Sequence, residues 1–197
     1  MSNVLRALRA VVVLGLLTGL LYPLVITGIA QLTMGSKADG SLVRVGGRVV
    51  GSSSIGQLWE GDRWFHGRPS AVDYDASTSS GSNLGPNSKE LADEIAARAR
   101  AILKLEGPYR PHATVSDIPA DLLTASASGL DPDISVEAAE FQAPRIAQVR
   151  GLSMQQVQGL IDQHTVGPAL FQHKIQRVDP FGGFFRIDIG CRLVGGL

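Results

Sequence analysis

Cysteine is nearly missing from this chain: Cys191 stands alone. One thiol excludes an intrachain disulfide framework and any cysteine-rich metal site. Charge excess is missing too, since 18 Lys+Arg balance 18 Asp+Glu. A neutral chain has no electrostatic footprint for nucleic acid, so none is expected as a partner. Aromatic residues make up only 6% of the sequence. No phosphate-binding G-x-x-x-x-G-K-[ST] loop, no G-x-G-x-x-G fingerprint and no G-x-S-x-G elbow occurs. At 197 residues the chain has room for one domain with an appendage, and enough length to bury a core unaided. Its 23 glycines and 10 prolines announce many turns.

What is present begins with apolar length. No charged residue occurs between Arg9 and Lys37. A helix over that run spans about 40 Å at about 1.5 Å per residue. The hydrocarbon core of a bilayer is about 30 Å thick, so a spanning helix fits over about residues 10–34. Leu14, Leu16, Leu17, Leu20, Leu21, Leu24, Val25 and Ile26 would fall on all sides of it. Pro23, Gly15, Gly19 and Gly28 are tolerated in lipid, and the Gly15-x-x-x-Gly19 pair admits a close helix neighbour. Arg6 and Arg9 precede the run, which predicts a cytoplasmic N-terminus and an exported remainder. Gly28-Ile29-Ala30 offers a signal-peptidase site, but the run exceeds an ordinary signal core, which favours a retained anchor. The expected division is therefore a membrane anchor over 1–36 and an exported mixed domain over 37–197, an α+β architecture.

Within that domain, Ser41 to Val50 carries the strand formers Leu42, Val43, Val45, Val49 and Val50 around Gly46-Gly47, which predicts a hairpin. Ile55, Leu58, Trp59, Trp64 and Phe65 are expected to bury. Asp73 to Asn87 is nearly all turn chemistry, either disordered or an ordered loop with a task. Asn87 with Glu90 predicts a capping box, opening a helix whose apolar stripe is Leu91, Ile95, Ala99, Ile102 and Leu103. Asp93, Glu94, Arg98, Arg100 and Lys104 then form a solvated face. Gly107-Pro108 ends that helix. Ser135 caps a second, with Ala138, Phe141, Ile146 and Val149 inward, and Pro144 is expected to break or kink it near Ala143. Ser153 and Gln156 open a third, carrying Val157, Leu160, Ile161 and His164.

Catalytic chemistry is hard to find. His66, His112, His164 and His173 sit in no metal-ligand spacing, so no metal is expected. Ser126 and Ser128 lie in a Ser/Gly-rich turn. A secreted or anchored serine hydrolase using one of them with His112 is the competing reading. It lacks both the triad spacing and an oxyanion signature.

Several segments, in order, carry a resemblance. They are Tyr22-Pro23 in the anchor, Val50-Gly51-Ser52 with Ile55-Gly56-Gln57, and Phe65-His66-Gly67-Arg68-Pro69-Ser70. Next come Ser82-Asn83-Leu84-Gly85-Pro86, Ile118-Pro119-Ala120-Asp121 and the run Thr124 to Ser135, TASASGLDPDIS. Gln142-Ala143-Pro144-Arg145-Ile146-Ala147 and Arg150-Gly151-Leu152 complete the set. With these, the chain resembles the KdpC family, the C subunit of the bacterial potassium-importing P-type ATPase. Ala127 and Asp133 depart from the Gly and His of that pattern. The resemblance runs over about residues 10–165. Beyond it, Ile187, Ile189 and Cys191 alternate with Asp188 and Gly190, as a strand would. Phe181, Phe184 and Phe185 make a core edge or an exposed patch.

The resemblance implies a non-catalytic subunit in the bacterial inner membrane. Its partners would be an ATPase catalytic subunit and a potassium-channel-like subunit, whose assembly it stabilises. It also implies a chaperone role that raises the catalytic subunit's affinity for ATP. That role would single out Ser126, Ser128, Gly129 and Gln142 for the nucleotide. Docking would fall to Gly15, Gly19, Tyr22 and Pro23 in the membrane, and to His66, Arg68, Asn83 and Asp131 in exported loops. No cofactor of its own is implied, and ATP would arrive only through the catalytic partner. An exported domain meets little ATP, so orientation argues against direct nucleotide contact.

Overall fold

The computed structural model describes residues 2–166 and 177–178. The expected Ile187–Cys191 strand and the Phe181, Phe184 and Phe185 cluster lie outside them. The chain divides into two compact units, Met1–Ser52 and Ser53–Leu197.

The first unit is the apolar helix with that hairpin. Helix α1 (Ser2–Leu16) passes through a single wide π turn (Leu17–Leu21) into α2 (Tyr22–Ala38). The helix thus outruns the expected 10–34 at both ends. The π turn has a local cause. Pro23 has no N–H to give, and its ring crowds the preceding turn. Widening that turn lets Tyr22 N–H reach back to the Leu17 carbonyl instead. Met34 leaves helical torsions (φ −148°, ψ 48°) and kinks the end of α2. Thr18 and Thr33 turn their hydroxyls back onto the Leu14 and Ile29 carbonyls at 2.7 and 2.8 Å. Asn3–Ala38 is long and apolar enough to cross a membrane, and none of its most apolar stretch is buried. Strands β1 (Leu42–Val45) and β2 (Arg48–Ser52) pair antiparallel around Gly46 and Gly47. Both glycines take positive φ (55° and 79°), as the tight hairpin turn requires.

The second unit is built around one helix. Helix α3 (Lys89–Glu106) is capped by Ser88, whose side chain accepts the Leu91 N–H at 3.4 Å. Asn87, the expected cap, stays in the preceding turn, because the helix begins one residue later than the capping-box pattern indicates. The expected stripe is confirmed, with Ala99 fully buried and its companions half-buried. Arg98, assigned to the solvated face, is instead half-buried, donating to the Leu123 carbonyl (3.0 Å) and to Glu94 (2.7 Å). A 3-10 turn (Val115–Asp117) and the short α4 (Ala120–Leu123) follow.

Strand β3 (Ile134–Ser135) leads directly into α5 (Val136–Arg150), with Ser135 as the expected cap on the Ala138 N–H (3.0 Å). Asp121 holds that cap by accepting from Ser135 N–H and Oγ–H at 2.8 and 3.1 Å. Helix α6 (Met154–His164) opens on the expected Ser153–Gln156 capping box. Strands β4 (Thr165–Val166) and β5 (Arg177–Val178) complete an antiparallel sheet in the order β3-β5-β4. The whole is the α+β class expected.

Helix α5 is the centre of the core. Ala138, Ala139, Phe141, Ala143, Ile146 and Ala147 are buried on it. Around them pack Phe65, Ala99, Ile118, Leu122, Ile134, Val157 and Ile161. Leu58, expected inside, is 59% exposed, while Trp64 packs at the core's edge.

Pro144 neither breaks nor ends α5, which runs unbroken to Arg150. The reason is tertiary. A proline strips the hydrogen bond from the carbonyl four residues back, here Glu140. Arg110 supplies the missing donor: its Nη2 reaches the Glu140 carbonyl at 2.8 Å and its Nε reaches that of Phe141 at 2.7 Å. Its guanidinium also lies 5.0 Å from the Phe141 ring centre.

Candidate functional site

The loop residues singled out by sequence (His66, Arg68, Asn83, Ser126, Ser128, Gly129 and Asp131), with Gln142, lie in the second unit. Three loops meet there: 56–85, the turn after α4, and the segment leading into β3. The 56–85 loop is ordered by its own side chains. Ser70 Oγ accepts from the Val72 and Tyr74 N–H groups at 3.1 and 3.0 Å and donates to the Gly129 carbonyl at 2.7 Å. Tyr74 holds a left-handed φ of 59°, rare for a bulky residue. Its hydroxyl donates to the Arg68 carbonyl at 2.5 Å, which helps fix that conformation. Burial, reinforced by Asp131 and opposed by Arg68, pushes the Tyr74 phenol up to about 12.

Arg68 and Asp131 form an ion pair at 3.2 Å, each about one-quarter exposed. The pair clamps the 56–85 loop to the segment before β3. Gly56 N–H adds a bond to the Leu130 carbonyl at 2.9 Å, and Ser126 N–H one to that of Pro69 at 3.0 Å. Ser79 Oγ–H reaches the Ser128 carbonyl at 3.1 Å. The turn itself closes through Ser128 Oγ, which accepts the Leu130 N–H at 3.1 Å. Ser126 is 2% exposed, whereas Ser128 and Asn83 face solvent. Asn83 adopts φ 55°, a conformation its residue type tolerates better than most.

Gln142 and His66 form the second layer. The Gln142 amide oxygen accepts the His66 N–H at 2.7 Å, and its NH2 donates to the His66 and Ala138 carbonyls at 3.1 and 3.2 Å. Arg145 Nη2 donates to the same Gln142 oxygen at 2.9 Å. Gln142 is therefore spent on internal bonds and is 2% exposed. His66 Nε2 lies 2.7 Å from the Gly61 carbonyl.

Two residues absent from the sequence-based site hold it up. Arg145 is wholly buried and pairs with the buried Glu106 at 2.8 Å. It also donates to the carbonyls of Asp62 and Trp64, the latter at 2.8 Å. One guanidinium thus fastens α3, α5 and the start of the 56–85 loop together. Burial pushes the Glu106 carboxyl up, and Arg145 pulls it back. Its Oε2 is buried with no hydrogen-bond partner among the described residues. A sequence signal for Glu106 existed: it falls at the foot of an apolar stripe. Arg145 had one as well: it stands four residues after Phe141 and four before Val149, on the face of the helix expected to point inward.

Two recesses open on this region. One, about 250 Å³, is lined by Trp59, His66, Arg68, Tyr74 and Arg98 among others. The other, about 190 Å³ and mostly apolar, lies between Pro69, Ala101, Ile102 and Leu122, with Glu106 and Gln142 in its wall. His112 is elsewhere. It lines a groove with Arg110, Asp117, Glu137 and Phe141, which neither Ser126 nor Ser128 lines. Among the described residues, no three His, Cys, Asp or Glu side chains are grouped to hold a metal. In the apolar helix, a Cβ at Gly15 or Gly19 would meet nothing within 4 Å beyond its chain neighbours and the helix's own nearby backbone, so their face is open.

His66 makes the region sensitive to pH. Burial, aided by Arg145, holds the imidazole below its ordinary 6.5, while the Gly61 carbonyl and Glu60 pull it up. The folded domain keeps His66 neutral where the unfolded chain already takes the proton. Its contribution is complete above about pH 6.5 and is lost as pH falls through the window below. Glu106 acts in the opposite sense, since burial raises its carboxyl and its contribution is lost as pH rises through a window that begins at the ordinary carboxyl range. Chemical unfolding at a series of pH values should show stability falling below about pH 6.5. His66→Gln should flatten that slope; an unchanged slope would assign it to another group.

Residues 4–179 match the family described as K+-transporting ATPase, c chain. The match extends past Thr165, where the resemblance read from the sequence stops. A Variovorax paradoxus protein named potassium-transporting ATPase KdpC subunit is 50% identical over 172 residues, covering 85% of this chain and 86% of its own. One of that name from Rhodopseudomonas palustris is 46% identical over 175 residues (82% and 84%). One from Mycobacterium bovis is 45% identical over 165 residues (83% and 85%). Shared sequence at this level, over nearly the whole chain, means that the protein belongs to the KdpC family of potassium-transporting ATPase subunits.

Proposed function

We propose that this chain is a non-catalytic accessory subunit of an ATP-driven potassium importer. It stabilises the assembly of a channel-like subunit with an ATPase catalytic subunit. The match of residues 4–179 to the family carries this reading. The anchor packs by its open Gly15/Gly19 face, beside Tyr22 and Pro23, against partner helices in the bacterial inner membrane. Arg6 and Arg9 hold the N-terminus in the cytoplasm and leave the 53–197 domain outside. That domain docks through the loops around His66, Arg68, Asn83 and Asp131.

Docking is favoured over direct nucleotide contact by how the candidate residues are used. Gln142 has its amide engaged by His66, Ala138 and Arg145, and Ser126 is enclosed. A rise in the catalytic subunit's ATP affinity would then be transmitted through subunit contacts. The chain needs no cofactor of its own.

The test is a mild-detergent pull-down of the tagged chain from its native membranes, with co-purifying chains identified by mass. A large P-type ATPase subunit and a polytopic channel subunit should be recovered with it. Recovery of the chain alone, shortened near Ala30, would overturn the reading.

A further inference from the structure

The β1–β2 hairpin is left over by this account. It belongs to the same compact unit as the membrane helix, Met1–Ser52. Only Asp39, Gly40 and Ser41 separate α2 from β1. Fully extended they would span about 10 Å, and they are not extended. Asp39 and Ser41 N–H groups bond back to the Gly35 and Ser36 carbonyls, each at 2.8 Å. Ser52 Oγ–H closes the other strand onto the Gly40 carbonyl at 2.7 Å. The hairpin is therefore fastened to the end of the spanning helix. About 20 residues after Arg9 cross the hydrocarbon, which leaves the end of α2 in or just past the headgroup layer.

The composition of the hairpin fits that level. Arg44 stands opposite Val49, and Leu42 opposite Ser52, so Leu42, Arg44 and Val49 share one face. Leu42, Val49 and Val50 are 47%, 49% and 40% exposed. From Lys37 to Ser52 there are three basic residues, Lys37, Arg44 and Arg48, against Asp39 alone. Asp39 already accepts from Gln31 at 3.0 Å. Neither Arg44 nor Arg48 forms an ion pair among the described residues. No residue of either strand is buried, and a lone two-stranded hairpin is at best marginal in water. Guanidinium groups interleaved with apolar side chains suit an interface where phosphates meet acyl chains.

We infer that the β1–β2 hairpin binds phospholipid headgroups. Arg44 and Arg48 pair with lipid phosphates while Leu42, Val49 and Val50 enter the interfacial layer. Anionic lipid strengthens the contact. The hairpin thereby sets the depth at which the anchor rests. This rests on the anchor spanning a bilayer, so the experiment reads both.

The full chain, with Cys191→Ser, carries a nitroxide at Val49→Cys or, separately, at Leu20→Cys. It is placed in nanodiscs of phosphatidylcholine with or without phosphatidylglycerol. Accessibility to oxygen against a water-soluble nickel chelate reports depth. The label at 20 should read hydrocarbon, and that at 49 headgroup depth, more strongly with phosphatidylglycerol. Arg44→Gln and Arg48→Gln should each lower the interfacial population about fivefold. A label at 49 open to water in both lipid mixtures, with 20 still in hydrocarbon, would overturn the inference alone. Water at both positions would overturn the spanning anchor with it. A label at 49 shielded from both reagents only when partner subunits are added would reassign the hairpin to protein docking.

Discussion

Arg145→Ala should destabilise the C-terminal domain by about 3–5 kcal/mol, the cost of breaking a buried ion pair by removing one partner. Three losses coincide. Glu106 keeps a buried carboxyl with no cation beside it. The Asp62 and Trp64 carbonyls lose their donor. Gln142 loses the contact that helps orient its amide toward His66. Denaturant unfolding of the purified full chain measures the first-order effect. The penalty also has a predictable pH dependence. Without Arg145, burial alone acts on Glu106 and raises its carboxyl further. At neutral pH the folded variant must hold that charge or take up a proton. As pH falls toward the ordinary carboxyl range, the unfolded chain takes the same proton and the penalty shrinks. The double variant Arg145→Met with Glu106→Leu should regain part of the loss, since matched apolar groups leave no buried charge. An unfolding midpoint unchanged in Arg145→Ala would refute the role given to this pair.

Gly129→Ala should cost about 2–4 kcal/mol, through two separable causes. Gly129 adopts φ 68°, which strains any L side chain. An added Cβ would also lie 2.5 Å from Val72 Cγ2 and 2.6 Å from the Ser80 carbonyl oxygen, and a carbonyl cannot step aside cheaply. Gly151 separates the two causes. It has nearly the same φ, 66°, at the end of α5, but a Cβ there meets nothing within 4 Å. Gly151→Ala should therefore cost only about 1 kcal/mol. The larger loss in Gly129→Ala should be local as well. Limited proteolysis should cut within residues 73–87 sooner than in the parent chain, and the Arg68–Asp131 clamp should loosen with it. Equal destabilisation by the two substitutions would mean that the close approach of the loops contributes nothing.

Local chemistry is what a sequence displays best, and the elements read correctly here are local. The apolar run, the Gly46-Gly47 hairpin, the Ser135 cap and the Ser153–Gln156 box each depend on residues within a few positions of one another. The same holds for the stripe on α3, because helical periodicity needs no partner to be visible. The Asn87 cap was missed by one residue, a local matter, but three other misread elements turned on distant packing. Pro144 stays inside a helix because Arg110, far away in the chain, supplies the hydrogen bond that proline removes. Arg98 leaves its solvated face because the Leu123 carbonyl lies within its reach. Leu58 stays exposed although it is as apolar as its neighbours, for burial depends on what packs above a residue.

The candidate site divides the same way. Its loop residues Arg68, Asn83, Ser126, Ser128, Gly129 and Asp131, and Gln142 on α5, were named only through the family resemblance. Their grouping was not legible, because it requires three loops to meet over α5. Arg145 and Glu106 were invisible as a pair, since an ionic bond across two helices has no signature in spacing. By itself, the sequence determined the long apolar helix, the α+β class and the family. Those follow from composition, periodicity and the order of motifs, which survive without any contact being known. Only the tertiary structure decided that Gln142 is a brace, that Arg145 is the hub, and that the hairpin belongs with the apolar helix. Each depends on which groups are brought within about 3 Å of one another, a distance that hydrogen bonds enforce and chain order does not reveal.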